Sequence, residues 1–495
     1  MAEYLHGAYR DWPTAGSALA VNSNSAVVVF GTAPVQTAAS GNMLINKPVL
    51  VNSFAEAKKL FGYSEDWAKY TLCEAMYLIL ACEHVGPLVL VNVLDPNTHK
   101  GAAQTVSQKP DGGKLVLTSA EDIILSTIAI EDIDADVYTA VYDPETKTIT
   151  IREKTAGGLG TDTLSISFNK VDVSAVTNAV MIGSSTSEGV NTGIHAVRSV
   201  YQETGIVPAF LLAPGWSSIP EVHAAMGECS RKINGHWDAW IFADLPTTIT
   251  GTPNYLTMAT AAAWKEANGY NLENETVCFP KILGTDDKVY HMATYRAACF
   301  MKLLAENDGV PFHSASNTAA AMIRNLKFAA EVNAYSATPT YDDTLVNEYL
   351  CRNGITSAAF VGGQWVLWGA HAADYNEDTA SDLNVSETVR MMLYFVANSF
   401  QQRRCVNVDK PLSANDLAAI VAEEQGRLDA LVNVGALTYG KAYIAADEIA
   451  LSDMYKGDYL FSFDITTMPL AKSLTVRVKW VDDGLAVYYQ SLTGV

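Results

Sequence analysis

One stretch of this 495-residue chain has the residue types and spacing of a phosphate-binding loop. Residues 435–441 read GALTYGK, which spaces a glycine from a glycine–lysine pair as a P-loop does. In a P-loop the lysine contacts the phosphates and a following Ser or Thr binds magnesium, on a turn between a strand and a helix. Here the next residue is Ala442, and the segment follows a predicted helix. We therefore predict no nucleotide site: Gly435 should end the helix and Gly440 should lie in a turn.

No other residues have the spacing of a catalytic or metal site. The hydrolase motif Gly-x-Ser-x-Gly is absent, because Gly215-Trp216-Ser217-Ser218 reads as the start of a helix. The nine histidines lack the short repeats that bring metal ligands together. We therefore predict no catalytic residue, no cofactor and no metal. The histidines are His6, His84, His99, His195, His223, His236, His291, His313 and His371.

The composition is that of a globular protein of about three domains. Apolar residues make up 49% of the chain and charged residues 18%. The net charge of −21 argues against binding a nucleic-acid backbone. No apolar run reaches the ~18 residues of a membrane span, and the N-terminus lacks a signal-peptide pattern, so we expect no membrane insertion and a cytoplasmic origin. The seven scattered cysteines indicate reduced thiols.

The elements around these residues have an α/β pattern. Strand runs at 26–32 and 88–94 enclose a short helix after the capping box at Ser53 and a longer one at 66–84. The order strand, helix, strand predicts parallel pairing. The pattern resumes near residue 193. There we predict strands at 207–212 and 237–243 and short strands within 354–366. The predicted helices cover 195–204, 257–268, 290–306, 317–330 and 386–404. Two more helices are predicted to begin at the capping box at Ser218 and at Ser413.

Residues 95–190 differ in composition from the sequence on both sides. They are rich in Thr, Ser, Gly and Asp and contain short alternating runs that are typical of strands. These runs cover residues 114–118, 137–142, 147–152 and 163–168. We predict a small all-β module, with an acidic surface, inserted into the α/β domain.

The C-terminal residues 459–490 predict the last strands of the chain. Apolar and polar residues alternate along 474–480, as expected for a strand with one buried face. Asp483-Gly484 predicts a turn that folds 485–490 back as another strand. The strand at 474–480 either forms a hairpin in its own sheet or pairs with another copy of the chain. Its apolar residues are Leu474, Val476, Val478 and Trp480, and its polar residues are Thr475, Arg477 and Lys479.

In their order and spacing, these features resemble the tail sheath proteins of contractile phages and phage-tail-like particles. Residues 7–10, GAYR, with Gly7 and Tyr9, look like the start of the family's N-terminal arm. Residues 48–62, PVLVNSFAEAKKLFG, match its strand, Ser-Phe pair and short helix ending in Phe-Gly. Further stretches similar to the family are 26–33, 88–94, 207–215, 237–246, 400–407 and the closing β segment. The resemblance covers nearly the whole chain apart from 95–190.

The resemblance implies the fold class and the division into domains. The fold is α/β (α+β overall), with an α/β sheath core domain, an inserted small all-β domain, a C-terminal α/β domain and extended N- and C-terminal arms. The predicted segments are 1–25 for the N-terminal arm, 26–94 plus 191–385 for the core, 95–190 for the insertion, 386–471 for the C-terminal domain and 472–495 for the C-terminal arm.

The resemblance also implies the function. Copies of such a protein form stacked hexameric rings, a helical polymer around a rigid inner tail tube, and contact baseplate and tail terminator proteins. Each copy lends strands to its neighbours, and the candidates here are Leu474, Val476, Arg477, Val478, Lys479, Trp480, Gly7 and Tyr9. Contraction would then be mechanical, in a virion tail or tail-like particle assembled in the bacterial cytoplasm. The alternative is an α/β enzyme, a hydrolase or a nucleotide-dependent protein, with a β insertion over its site.

Overall fold

An eight-stranded sheet forms the centre of the molecule. The computed structural model describes residues 25–39, 41, 43–249, 255–329, 341–445 and 456–493. The sheet order is β17-β16-β12-β11-β10-β1-β3-β2. The six inner strands run parallel, and β2 and β17 lie antiparallel at the edges. Its strands are β1 (Ser25–Gly31), β2 (Val49–Val51), β3 (Leu88–Asn92), β10 (Val207–Leu212), β11 (Trp240–Asp244), β12 (Glu275–Cys278), β16 (Ile355–Val361) and β17 (Gln364–Trp368).

The strand runs predicted for the core are confirmed, since continuous apolar runs suit parallel strands that are covered on both faces. Helices pack against this sheet; Phe300, for example, contacts Phe210 and Phe242 at ring distances of 5.1 and 5.5 Å. The helices are α1 (Phe54–Phe61), α2 (Leu72–Ala75), which continues as a π-helix over Met76–Cys82, α3 (Asn178–Ile182), α4 (Val200–Thr204), α5 (Pro220–Cys229), α6 (Met258–Ala267), α7 (Met292–Glu306) and α8 (Asp343–Tyr349). Short 3₁₀ helices cover Val35–Thr37, Leu125–Thr127, Val173–Ala175, Gly193–Ser199, Cys351–Asn353, Glu377–Thr379 and Cys405–Asn407.

Three predicted helices differ from the structure. The helix predicted from residue 66 begins at Leu72, because the Leu72 N–H donates to the Thr32 carbonyl at the end of β1 (3.0 Å) and not to the preceding turn. The helix predicted at 317–330 is wrong: Ile323–Lys327 is a strand that pairs antiparallel with Lys281–Gly284. Ser218 does not cap α5, since its hydroxyl donates to the Gly215 carbonyl. By contrast, Ser53 caps α1 by accepting from the Glu56 N–H (3.2 Å).

A second, shorter sheet lies beside the core, and it explains why the helix predicted at 317–330 is wrong. Its order is β14-β13-β15, with β13 at Lys281–Gly284, β14 at Val289–Tyr290 and β15 at Ile323–Lys327. Asn317 has a left-handed φ of +57°, and the Ala320 N–H donates to the Trp365 carbonyl, so the chain is already extended along β17 before β15 begins. Tertiary pairing therefore overrides the local helix preference.

Residues 104–168 form two three-stranded sheets around a small core of their own, with Ile149, Ile151 and Ile166 fully buried. The Gly101 N–H donates to the Lys170 carbonyl (2.9 Å), so the ends of this part lie side by side. Its strands are β4 (Gln104–Gln108), β5 (Lys114–Leu117), β6 (Ala129–Ile130), β7 (Tyr138–Asp143), β8 (Thr148–Glu153) and β9 (Leu164–Phe168). Ile124, Val171, Val176 and Met181, although within 95–190, pack into the main core.

The C-terminal part consists of α9 (Glu387–Arg404), α10 (Ala414–Asn433) and the antiparallel hairpin of β18 (Leu437–Ile444) and β19 (Phe461–Thr467). Leu428 and Leu431 of α10 share a buried cluster with Met392 and Leu437. Ser413 accepts from the Asp416 N–H and Asp416 from the Ser413 N–H, so a capping box starts α10 where the helix was predicted to begin.

The structure of the final residues differs from the strands predicted there. Residues 468–481 have no helix or strand, and Asp483–Thr493 forms a helix, α11, where a strand was expected. The missed signal is the spacing of Leu485, Tyr488, Tyr489 and Leu492, which places them on one face of a helix. The hairpin predicted between 474–480 and 485–490 is therefore wrong. No helix in the described ranges has the length and apolar character needed to cross a bilayer.

Candidate assembly interface

The residues that looked like a phosphate-binding loop serve the packing of the hairpin. Gly435, with a φ of +80°, follows the end of α10, as predicted. Gly440, predicted in a turn, instead lies within β18. The Lys441 ammonium lies 5.2 Å from the centre of the Tyr443 ring. The segment therefore runs from a helix into a strand, which is the reverse of a P-loop. Within the described part of the chain, no three His, Cys, Asp or Glu side chains come together as a metal site.

Within the predicted arm of 472–495, the segment from Ser473 to Val481, which alone is called the C-terminal arm from here on, is exposed along its length. Leu474 is 91% exposed, Val476 82%, Val478 87% and Trp480 76%. Arg477 and Lys479 are also exposed. In an extended chain the apolar residues would face one side and the basic residues the other. An apolar stripe of this size in water is costly and marks a surface for a partner.

The arm begins at a cavity of about 630 Å³ between the core and the C-terminal part. Met468 and Lys472 line this cavity together with Trp368 and His371 of the core. Burial, with the nearby charge of Lys472 as a smaller cause, lowers the pKa of the His371 imidazole to about 4. The chain up to Lys472 therefore contacts its own subunit, whereas Ser473–Val481 is exposed.

Beside the base of the arm, the β18–β19 hairpin presents two different faces. On the inner face, Phe463 and Ile465 pack towards α9 and α10, and Phe463 lies 5.2 Å from the Phe400 ring. On the outer face, Lys441 of β18 and Asp464 of β19 are directly opposite each other and exposed. Within the described ranges, the hairpin is a sheet of only two strands, and such a sheet leaves edges that can accept another strand.

A buried carboxylate holds the two long helices behind this hairpin together. Glu424 of α10 is 2% exposed and accepts hydrogen bonds from Arg403 and from Arg404, whose Nε lies 2.9 Å away. Removing either arginine would leave part of a buried charge uncompensated. Glu424 therefore ties together α9 and α10, the two helices against which the hairpin packs.

Comparison with known proteins tests the resemblance that the sequence indicated. No protein-family model matches the sequence. The tail sheath protein of Burkholderia phage BcepMu is 24% identical over 497 residues, which cover 97% of this chain and 97% of that protein. The resemblance to the contractile tail sheath proteins is confirmed.

Solved sheath structures share the fold at low sequence identity. The contracted helical sheath of the anti-feeding prophage is 12% identical with a TM-score of 0.53, and the match covers 97% of this chain and 99% of that one. The contracted sheath of the extracellular contractile injection system PVC is 12% identical with a TM-score of 0.54, over 98% and 99%. A sheath tail protein from Desulfitobacterium hafniense is 11% identical with a TM-score of 0.51, over 93% and 100%.

These relatives support a structural subunit of a contractile tail sheath and not an enzyme. The candidate strand residues fall into two groups. Gly7 and Tyr9 lie outside the described residues, as do residues 1–24 of the N-terminal arm predicted over 1–25. The six candidates between Leu474 and Trp480 lie together on the exposed arm, where they form no strand within their own chain. Sequence reasoning missed Asp464, since it belongs to no motif.

Proposed function

We propose that copies of this chain polymerise as stacked hexameric rings around a rigid inner tube and are joined by exchange of their terminal strands. The observation that carries this proposal is the exposed, alternating C-terminal arm, which finds no partner among the described residues of its own chain. Addition of an extended segment to a sheet edge is a general way to join proteins, because backbone hydrogen bonds supply affinity and alternate side chains supply specificity.

The contraction that drives the tube through a target cell envelope is mechanical in this proposal. Baseplate, inner tube and tail terminator proteins hold the polymer in an extended state, and release lets subunits rotate and repack as nearly rigid bodies. The core supports such rigid movement, since its central strands are buried and close-packed. The particle is a virion tail or a tail-like particle, assembled in the bacterial cytoplasm.

Removal of residues 473–495 tests the proposal. Because every described apolar residue of this stretch is more than half exposed, its loss should leave the subunit folded, with an unchanged circular dichroism spectrum and melting temperature. Lys472 is retained because it lines the cavity. Electron microscopy should then show single subunits and no tubes, while the full chain under the same conditions forms tubes.

Two results would contradict this expectation. If the shortened chain aggregates and loses helical signal, the arm belongs to the fold of its own subunit. If it stays folded and still forms tubes, another surface joins the copies. Removal of residues 1–20, the other predicted arm, should likewise leave folded subunits that do not polymerise.

A further inference from the structure

The cavity of about 630 Å³ at the base of the C-terminal arm has a charge opposite to that of the whole chain. The protein has 54 Asp and Glu residues against 33 Lys and Arg residues. No Asp or Glu is among the described residues that line the cavity, whereas Lys472, His313 and His371 all line it. Pockets for small organic molecules have volumes of this size. The cavity therefore brings cationic and neutral polar groups together without an acid.

The Lys472 ammonium has no counter-ion among the described residues, since it forms no ion pair with any of their carboxylates. Burial lowers the pKa of this ammonium to about 8; Glu387 opposes the shift, and Arg296 adds to it. The same two cations act on Cys351, which also lines the cavity: burial raises the pKa of its thiol to about 12, against the effect of Lys472 and Arg296. The field inside the cavity is therefore positive.

The second cation, Arg296 of α7, lies behind the wall of the cavity. It is fully buried and donates to the Glu387 carboxylate and to the hydroxyl of Ser314, a residue of the lining (3.4 Å). Its Nε and Nη1 have no hydrogen-bond partner among the described residues. Glu387 also accepts from Ser314 (2.6 Å) and Thr276 (2.7 Å), so its oxygens are already used within the core. Glu387 thus neutralises Arg296 and leaves the charge of Lys472 uncompensated.

The other polar groups of the lining are mainly donors. The Asn347 Oδ1 accepts from the Trp368 Nε1–H (2.9 Å), which leaves the NH₂ group of Asn347 to donate. Ser316 accepts a backbone N–H (3.1 Å) and keeps its own hydroxyl proton. Because the Val385 carbonyl accepts from the His371 Nδ1–H (2.7 Å), the Nε2 of His371 is an acceptor. One cation, two neutral donors and one acceptor suit an anionic oxygen group, to which charge-assisted hydrogen bonds are strong.

We infer that this cavity binds a small organic anion, whose carboxylate or phosphate group contacts Lys472 and whose apolar body packs against Trp368 and Phe312. The two aromatic residues supply the apolar part of the lining together with Met468 and Leu470. Such a ligand contacts the core and the chain at 468–472 at the same time, so it holds the base of the C-terminal arm against the core. The inference concerns a single subunit and does not depend on the proposed strand exchange.

Three small probes test the site in the full-length chain. Benzoate and phenyl phosphate carry the two anionic groups on the same ring, and benzyl alcohol is the neutral control. In ligand-observed NMR titrations, we expect saturable binding of at least one anion and much weaker binding of benzyl alcohol. The anion that binds more tightly shows whether the site selects a carboxylate or a phosphate. Equal binding of benzyl alcohol and the anions, or no binding of any probe, would overturn the inference.

Substitution of Lys472 tests its place in the site. Lys472→Met keeps the length of the side chain and removes the charge, so it should weaken anion binding at least about tenfold, as expected for the loss of a hydrogen bond to a charged group. Lys472→Arg should restore most of the affinity. Lys441→Met, at an exposed lysine of the hairpin, is the matched control and should bind as the parent does. Unchanged binding by Lys472→Met, with an unchanged circular dichroism spectrum, would overturn the assignment.

The pH dependence of benzoate binding provides a test that also works if Lys472→Met fails to fold. Benzoate stays ionised between about pH 7 and pH 10, as carboxylates do. Its affinity should be constant at the lower end and fall above about pH 8, because the Lys472 pKa is about 8. Lys472→Arg should remove this fall, and His313→Gln should leave it unchanged. An affinity that does not fall in the parent would show that the Lys472 ammonium does not contact the anion.

The remaining charged and titratable groups at the cavity keep their state over this range. Burial holds the pKa of His371 at about 4 and that of Cys351 at about 12, so both side chains stay neutral. Arg296 and Glu387 stay paired and charged. A fall in affinity above about pH 8 therefore reports the loss of the proton from Lys472.

Discussion

Gly440 has a different role in the structure from the one that the sequence pattern indicated. In the sequence it looked like part of a phosphate loop, and in the fold it lets α10 lie directly against β18. A methyl group there would meet the Leu428 Cβ at 2.8 Å, so one of the two elements would have to move.

We expect Gly440→Ala to lower the free energy of unfolding by about 1–3 kcal/mol, the usual cost of overpacking. Guanidinium unfolding of unassembled subunits would measure it. Gly484→Ala is the matched control, because a Cβ at Gly484 meets no atom within 4 Å. Equal stability of the two variants would mean that α10 shifts freely and that the close approach is not needed.

Asp244 is a buried acid that couples stability to pH. It lies at the end of β11, is 3% exposed, and accepts a hydrogen bond from the Ala293 N–H at the start of α7 (2.9 Å). Burial, opposed by the nearby His291, raises the pKa of its carboxyl from 3.8 to about 6. The folded state therefore holds this proton more tightly than the unfolded chain does.

The contribution of Asp244 to stability is fully present below pH 3.8 and is lost as the pH rises through about 6. At about 1.4 kcal/mol per pKa unit, the loss is about 3 kcal/mol. Asp244→Asn keeps the acceptor for Ala293 but does not titrate, so its unfolding free energy should fall less than that of the parent between these pH values. Parallel changes in both proteins, measured by guanidinium unfolding across this range, would show that Asp244 does not titrate there.

At the scale of elements, the C-terminal arm and α11 are the most exposed part of the described C-terminal region. An isolated helix of fewer than ~12–15 residues is marginal in water, and α11 has only 11, with Leu485, Tyr488 and Leu492 exposed. The arm likewise lacks a neighbouring strand within its own subunit's described residues. We therefore expect both elements to be stabilised by contacts with another copy of the chain.

We predict that Val476→Pro abolishes sheath formation, since proline removes a backbone donor and is poorly tolerated within a paired strand. The subunit should keep its circular dichroism spectrum, because Val476 is 82% exposed in the single chain. Val476→Ile, which keeps β-branching and the N–H, is the control and should form tubes in the microscope. Tubes from the proline variant would show that the Val476 N–H makes no bond in the assembly.

At the scale of the molecule, residues 102–168 form a part with its own core and adjoining ends. It meets the main core through Asp122, which accepts from Lys69 and from the Tyr70 hydroxyl, and through the Glu121 carbonyl, which accepts from Gln36. These contacts are few and polar, so the main core does not depend on the insertion for its apolar packing, apart from Ile124.

We expect that replacing 102–168 with a short Gly/Ser linker leaves a folded subunit that still polymerises, since insertions with adjoining ends are often dispensable. The linker should start after Gly101 and end before Asn169, because Val171, Val176 and Met181 belong to the main core. Replacing 97–188 serves as the contrast and should lower the melting temperature further. Loss of folding in the shorter deletion would show that the insertion is part of the core.

The sequence by itself determined the elements whose signals are local. Continuous apolar runs located β1, β3, β10 and β11, capping residues started α1 and α10, and the composition of 95–190 indicated the strands found between residues 104 and 168. The order of these features was enough to reveal the resemblance to sheath proteins. Such signals can be read from the sequence because side-chain periodicity and helix capping involve residues only a few positions apart.

Only the tertiary structure decided the features that depend on distant residues. Ile323–Lys327 became a strand because β13 lies beside it, and the helix predicted from 66 begins at Leu72 because Thr32 takes its N–H. The edge of β18 is covered by Gln425, on a helix that precedes the strand, through bonds to the Gly440 carbonyl and the Ala442 N–H, which no pattern within β18 could indicate. Contacts between residues far apart in the chain fix which edges are covered, and those edges determine how copies can join.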